Sequence, residues 1–407
     1  MLSQRAPLML KAAGCVPEAP RLRTGRGVIH VDLAMPFPDR VESGPFHRSM
    51  VVFWWKDIPV GHVLLESHRC SPERILALAE AAVEGELITA AEDRAPASAR
   101  SGPVSAVVCT RDRPQELGGC LDSLLAQSHP PEEIIVVDDG SQGTVTARVA
   151  AARPRTVYRR QERLGLAAAR NAGVRAARQE IIAFTDDDVR HHRLWLERLV
   201  QPLSQQATLA STGLVLPFEM ESEAQYIAER AWSLGRGYRP RLFGPDFLAH
   251  SDPGAAPVWE IGSGASMAFR RQAFREAGGF DERLGPGAAS GSGDAELWCR
   301  LLAKGWSCRY EPTAVAYHRH PRALEDLAER AAARMSGHVA ALLVQSARHR
   351  DRRNLRRVAL GLPGLFLKLG WSRLTQGWRP HSAMLGPAVR GYCAGLAHYA
   401  RHPAQRL

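Results

Sequence analysis

The chain has 407 residues, 45% apolar and 23% charged, a composition that suits a globular protein with a buried core and excludes a disordered one. No run of about eighteen uninterrupted apolar residues occurs, so a membrane-crossing helix is not expected. The formal charge of +11 resides in the tail: residues 345–407 hold twelve Lys or Arg against one acid, Asp351, which leaves the body neutral and argues against a nucleic-acid-binding surface there.

In chain order, MLSQRAPLMLKAAGC carries a short apolar patch broken by Lys11 and makes a poor leader peptide. SMVVFWWKDIPVGHVLLE (49–66), with a turn at Asp57–Pro59, predicts a hairpin in a small appendage. AAEDRAPASARSGP (90–103) reads as a linker. From Val104 the pattern changes to buried strands alternating with helices. VSAVVCT is followed by the helix QELGGCLDSLLAQS, EEIIVVDDGS by a helix through Val149–Ala152, TVYRR by LAAARNAGVRAAR, and EIIAFTDDD closes the series. Continuous apolar strands interleaved with helices predict an α/β fold, a mostly parallel sheet covered on both faces. Residues 204–262 read as less regular, an insert or lid facing the acceptor. Three parts follow: an appendage over 1–100, a catalytic domain over 101–325, and a helical basic region over 326–407. Seven cysteines without CxxC spacing fit reduced thiols in the cytoplasm.

In such sheets ligands bind beyond the carboxyl ends of the strands, and CTRD, VDDGS and TDDD all fall there. Three adjacent aspartates, Asp186, Asp187 and Asp188, repel one another unless a cation relieves them. A hard divalent ion such as Mg²⁺ or Mn²⁺ is held by one or two carboxylates together with substrate phosphates. A helix N-cap would use one aspartate, not three. VVDDGS is either an ordinary Asp-Gly turn or a hydrogen-bond acceptor for a base N–H. SGDAELWCR sets Asp294 and Glu296 at a helix start, either as caps or with one serving as general base. His318, in VAYHRHPR, is either a packed histidine or the residue completing the metal site.

The order of these elements resembles the family 2 glycosyltransferases of GT-A fold, over roughly Val104 to His320. The matching stretches are VVCTRDRPQELGGCLDSLLAQSHPPEEIIVVDDGSQ, RLGLAAARNAGVRAARQEIIAFTDDDV, GSGASMAFRRQAFREAGGFDERLG and GDAELWCRLLAKGWSCRYEPTAVAYHRH. The resemblance implies a Rossmann-like sheet and inverting transfer of a sugar from a nucleotide-diphosphate donor to an acceptor hydroxyl, aided by Mg²⁺ or Mn²⁺. It implies a UDP-sugar before other donors, and a glycan or lipid-linked acceptor. By the same resemblance Thr110 and Arg111 lie near the base, and Asp139 reads it. Arg163, Gly165 and Asn171 line the nucleotide. Asp186 lies near the ribose with Asp187 beside it, and Asp188 is the metal ligand. Asp294 is the base, His318 meets metal or diphosphate, and Gly264, Ser266 and Glu296 lie on the acceptor side. Two departures stand out: Gly293 precedes Asp294 where many members have Glu, and Ser266 occupies the usual asparagine position of GASM.

LRRVALGLPGLFLKLGWSRL (355–374) sets Leu362, Leu365, Phe366 and Leu369 on one helical face with Arg356, Arg357, Lys368 and Arg373 around them. That pattern suits either a helix lying in the surface of an anionic membrane or one packed on the body. The expected location is cytoplasmic, with peripheral contact to the inner face of a membrane. The rival readings are a silent sugar-nucleotide-binding scaffold and a nucleotidyltransferase; CTRDRPQEL lacks the glycines the latter needs.

Overall fold

A computed structural model describes residues 26–35, 41–42, 48–66, 69–92, 102–249, 255–284, 292–376 and 383–402. The leader expectation and most of the expected linker lie outside these residues.

Five strands precede the main sheet: β1 (Val28–Asp32), β2 (Val41–Glu42), β3 (Ser49–Trp55), β4 (Ile58–Leu65) and β5 (Arg69–Cys70). The hairpin β3–β4 turns at Lys56, which takes φ 56°. β1 joins it in parallel, and β2 pairs with β5. Successive side chains of a strand point to opposite faces, and β3 uses both. Val51 and Phe53 pack under the helix Pro72–Ala82, while Met50, Val52 and Trp54 enter the core of the large sheet. Trp54 stacks on His192, and Asp57 pairs with Arg193 at 3.0 Å. The appendage is thus sewn to the body by apolar packing as well as charge.

The large sheet comprises β6 (Val104–Thr110), β7 (Glu133–Asp139), β8 (Thr156–Gln161), β9 (Ile181–Asp186), β10 (Val189–His191), β11 (Thr208–Pro217), β12 (Arg241–Phe243), β13 (Ser266–Arg270) and β14 (Ser307–His318). Its order is β10-β14-β11-β13-β9-β6-β7-β8, with β12 also on β14. β8, β7, β6 and β9 are mutually parallel, and β11 and β14 run the same way. β13 lies between β9 and β11, antiparallel to both. The buried Val, Ile and Ala runs of β6, β7 and β9 make strands without a polar face, as parallel sheets require. Helices Pro114–Leu125 and Leu166–Ala176 are among those covering the sheet.

The irregular reading of 204–262 is corrected here. β11 is a ten-residue strand buried along its whole length, and Glu223–Trp232 is a helix capped by the Ser222 hydroxyl. The Thr, Ser, Gly and Pro of TLASTGLVLP look like loop residues, but tertiary pairing on both sides overrides that preference.

The tail is helical: Leu324–His349, Arg352–Arg356, Leu362–Gln376 and Leu385–Arg401, with a π-type stretch Arg357–Gly361. Leu362 and Phe366 pack inward on Val339, Leu342 and Leu343. Of the two readings of that apolar face, membrane contact or packing on the body, the structure shows largely the second. A different stripe is bare: Leu360, Leu367, Trp371 and Leu374 are 65%, 77%, 70% and 83% exposed. No helix among the described residues is long and apolar enough to cross a membrane.

Candidate active site

Strand direction assembles the site. β6, β9 and β14 deliver Thr110, Asp186 and His318 from their carboxyl ends, while β13 runs the other way and brings its beginning to the same rim, pairing Ser266 with Thr185. The three aspartates begin at the last residue of β9 and are held by neighbours from four segments. The Thr110 hydroxyl donates to Asp187 Oδ2 at 2.8 Å. Arg113 Nη1 donates to Asp187 Oδ1 at 3.3 Å and to Asp188 Oδ2 at 3.1 Å. Arg330 Nη2 lies 3.6 Å from Asp188 Oδ2, and His318 Nε2 3.4 Å from Asp188 Oδ1. Arg170 reaches Asp186 Oδ1 at 3.5 Å and the Gly264 carbonyl at 3.4 Å.

The electrostatics separate these groups. Burial, reinforced by the Asp188 charge, pushes Asp187 up to about 7. Burial also pushes Asp186 upward, with Asp188 and Asp294 adding to it and Arg170 opposing. Burial acts the same way on Asp188, but His318, Arg330 and Arg113 outweigh it and hold that carboxyl below its usual range. Burial brings His318 down to about 4, so its imidazole is neutral at physiological pH, the form that binds metals. Its Nδ1 is buried without a hydrogen-bond partner among the described residues. Asp186, Asp188 and His318 each present a ligand atom, all within 4.8 Å of one another. Two carboxylates and a neutral imidazole are a donor set that Mn²⁺ or Mg²⁺ accepts.

A cavity of about 460 Å³ opens from this cluster and is lined by Asp186, His318, Gly264 and Asp294. Asp294 stands at the start of the helix Gly293–Ala303, its Oδ1 accepting from the Ala295 N–H at 2.9 Å. A Cβ on Gly264 would meet Arg170 Nη2 at 2.6 Å and Asp294 Oδ2 at 2.7 Å, so any side chain there would push one of them aside.

The sequence pattern of the Glycosyl transferase family 2 matches residues 105–277, and that of the Glycosyl transferase family group 2 matches 242–395. Residues 105–277 form a family 2 glycosyltransferase domain. The Pre-mycofactocin glycosyltransferase of Mycobacterium tuberculosis is 32% identical over 280 residues, 63% of this chain and 55% of that protein. A Glucosyl-dolichyl phosphate glucuronosyltransferase of Haloferax volcanii is 26% identical over 191 residues, 45% of this chain and 57% of the relative. The chain thus spans little more than half the length of these relatives. In fold it is similar to a mannosyltransferase of Pyrobaculum calidifontis in complex with GDP-Man and Mn²⁺, with TM-score 0.53 and 19% identity over 75% of this chain and 90% of that one.

Within this glycosyltransferase domain the expected residues fall into two groups. Asp186, Gly264, Asp294 and His318 line the cavity, and Thr110, Asp187 and Asp188 stand directly behind them. Arg111 and Arg163 are exposed in neighbouring loops. Asp139 holds the loop beyond β8: Gln161 Nε2 and the Leu164 N–H donate to its Oδ1 at 2.8 and 2.9 Å, and the Gly165 N–H to its Oδ2 at 2.9 Å. Asp138 fixes the turn at Gly140 (φ 82°) by accepting from the Ser141 N–H at 2.7 Å.

Three expected placements are corrected. Asn171 donates to the Phe280 carbonyl and Glu282 and accepts from the Phe280 N–H at 2.8 Å, clamping that loop rather than facing a nucleotide. Ser266 is buried within the sheet, its hydroxyl accepting from Trp195 Nε1 at 2.8 Å, not on the acceptor side. Glu296 is fully buried against Arg300 and Arg348 and turned away from the cavity. Residues two apart on a helix point to nearly opposite faces, so Asp294 and Glu296 cannot share a task. Arg113, Arg170 and Arg330 were missed, because their contacts with the trio join positions distant in sequence. Glu296–Arg300 was legible as an (i, i+4) pair.

Proposed function

We propose that the chain transfers a sugar, with inversion, from a nucleotide-diphosphate donor to a hydroxyl of an acceptor. The observation that carries this reading is the convergence of Asp186, Asp188 and His318 within 4.8 Å at the rim of a family 2 domain, with Asp294 lining the same cavity. A divalent cation, Mg²⁺ or Mn²⁺, would be held by Asp188 and His318 with help from Asp186. When bound it would supply Lewis-acid stabilisation to the departing diphosphate. Asp294 receives the proton of the acceptor hydroxyl as its oxygen bonds to the anomeric carbon, and the diphosphate leaves with the electron pair of the broken bond. Arg113 and Arg330, which now neutralise Asp188, supply further positive charge to that diphosphate. Thr110 and Arg113 hold Asp187 inside the fold, fixing the two flanking carboxylates.

A UDP-sugar is the proposed donor, the base lying on the side of Arg111, Asp139, Arg163 and Gly165. The proposed acceptor is a glycan or a lipid-linked hydroxyl compound. Residues 1–100, 101–325 and 326–407 are the proposed appendage, catalytic domain and tail. The tail is proposed to rest on the cytoplasmic surface of an anionic membrane, with the bare stripe Leu360, Leu367, Trp371 and Leu374 against the lipid and Lys368 and Arg373 beside it.

Thermal shift across a panel of nucleotide sugars with Mn²⁺ tests the core of the proposal. One donor should stabilise the protein only with the metal, and Asp188→Ala should lose the effect. Stabilisation by none of them, or equal stabilisation of the variant, refutes it.

A further inference from the structure

The cavity extends well past the metal cluster, along one face of the helix Leu324–His349. Leu327, Arg330, Arg334 and His338 recur on that face every three or four residues and all line it. Arg330 touches Asp188. At 1.5 Å per residue, Arg334 stands about 6 Å and His338 about 12 Å farther along the axis. The chamber therefore has a donor end and a second end beyond Asp294.

That second end is cationic and aromatic. Trp232, Trp259 and Trp298 line the cavity, as do Arg236, Arg334 and Arg357. Arg357 stacks over the Trp259 ring at 4.3 Å, and His338 meets the same ring edge-on at 4.8 Å. Among the described residues no carboxylate pairs with Arg236, Arg334 or Arg357. Arg236 donates to the carbonyls of Ser233, Gly235 and Trp259, and Arg334 reaches only the Trp232 carbonyl at 3.4 Å. Arg357 Nε is buried without a partner. Burial brings Arg334 down to about 10, so it still carries its charge at neutral pH. Buried charges are normally paired, because an unpaired one forfeits its hydration without return. Asp294 acts on Arg236 and Arg334, and Glu260 on Arg236 and Arg357, but only from beyond ion-pair distance, so the three guanidiniums around the chamber leave room for a closer counter-charge. The donor diphosphate is not that charge: Arg113, Arg170 and Arg330 already surround the metal cluster one turn away.

Resting on the transfer reaction proposed above, we propose that the far end of the cavity is an acceptor subsite for a hydroxyl compound that bears a carboxylate or phosphate beside an apolar, ring-sized body. Arg334, Arg236 and Arg357 take the anion, and Trp259 and Trp232 flank the apolar part. Guanidiniums suit both anions through bidentate hydrogen bonds. The whole chamber, donor end included, is about 460 Å³, so its far end suits a small molecule or the head of a larger one. The two sources of this chemistry are a free aromatic acid and the phosphate head of a lipid.

The test uses the full chain saturated with Mn²⁺ and whichever nucleoside diphosphate stabilises it most, so that the donor end is filled. If no nucleotide stabilises it, the transfer reading fails by itself. With the donor end occupied, calorimetry compares 4-hydroxyphenylacetate with its amide, and octyl phosphate with octanol. The anionic member of at least one pair should bind at least tenfold more tightly than the neutral one. Preference in the first pair identifies a free acid, and in the second a lipid phosphate. Arg334→Gln should abolish the preference while nucleotide affinity stays within about twofold. Equal binding of both members in both pairs, or no binding of any probe, overturns the inference even if the variant does not fold. A preference that survives Arg334→Gln unchanged overturns it as well.

Discussion

Glu296→Gln removes the fully buried charge at the centre of an ionic knot while keeping the side-chain volume. Arg300 Nε lies 3.0 and 2.9 Å from the two oxygens of Glu296, and Arg348 donates to Oε1 as well. Arg300 continues to the Gly279 carbonyl at 2.7 Å, and Arg348 to Asp281 at 3.0 Å. The knot thereby ties the helix bearing Asp294 to the long tail helix and to the loop after Ala277. Breaking a buried pair by neutralising one member costs about 3–5 kcal/mol. Arg348 is a quarter exposed and keeps Asp281, so the low end applies. At roughly 2–4 °C per kcal/mol, a loss of about 3 kcal/mol lowers Tm by about 6–12 °C. Scanning calorimetry measures this, and nucleotide binding at a temperature well below the transition should be retained. A variant that melts within about 1 °C of the parent, yet fails in transfer, would refute the structural role and return Glu296 to the acceptor side.

Other outcomes follow from the same geometry. Asp294→Asn should lower transfer by about 10²–10⁴-fold, the range of general-base catalysis, with donor affinity nearly unchanged; normal turnover measured with radiolabelled donor would refute the assignment. Gly264→Ala should displace Arg170 or Asp294 and reduce turnover more than donor affinity, as steady-state kinetics would report. His191 and His192 are held near 3 by burial, with Arg190 and Arg198 respectively adding to it. The unfolded chain binds these protons below about 6.5 and the folded chain does not, so stability is full above that pH and falls as pH drops toward 3. A urea midpoint flat between pH 7 and 4.5 would contradict this. Replacing Leu367, Trp371 and Leu374 together with Ser should abolish flotation with anionic liposomes and leave Tm nearly unchanged, since all three are exposed; undiminished flotation would refute the membrane contact.

Much of the donor half was legible in the sequence. β6, β7 and β9 are largely apolar runs ending in polar clusters, and such runs admit few alternatives. β11 was not legible, because its Thr, Ser, Gly and Pro become strand-compatible only between β13 and β14. Nor does any local signal tell that β13 runs backwards. In the site, Asp186 and Asp188 were legible because carboxylates at strand ends are costly without a purpose, and His318 as a candidate to complete a metal site with them. The arginines were not, since surface and cavity arginines look alike in a sequence and only tertiary packing sorts them. The tail was half legible: its amphipathic helix exists, but the face chosen from spacing is mainly the one that packs, and the bare stripe is nearly opposite.

The reversed course of β13 has a consequence for how such a protein can diversify. On the proposed assignment the nucleotide faces the ends of β6, β7 and β9, whereas the wall beside Asp294 is the entrance of β13, fed by an incoming connection. Lengthening or recolouring that connection would remodel whom the enzyme serves without shifting what it spends. Donor and recipient contacts would then sit on separate stretches of chain, each open to change without the other.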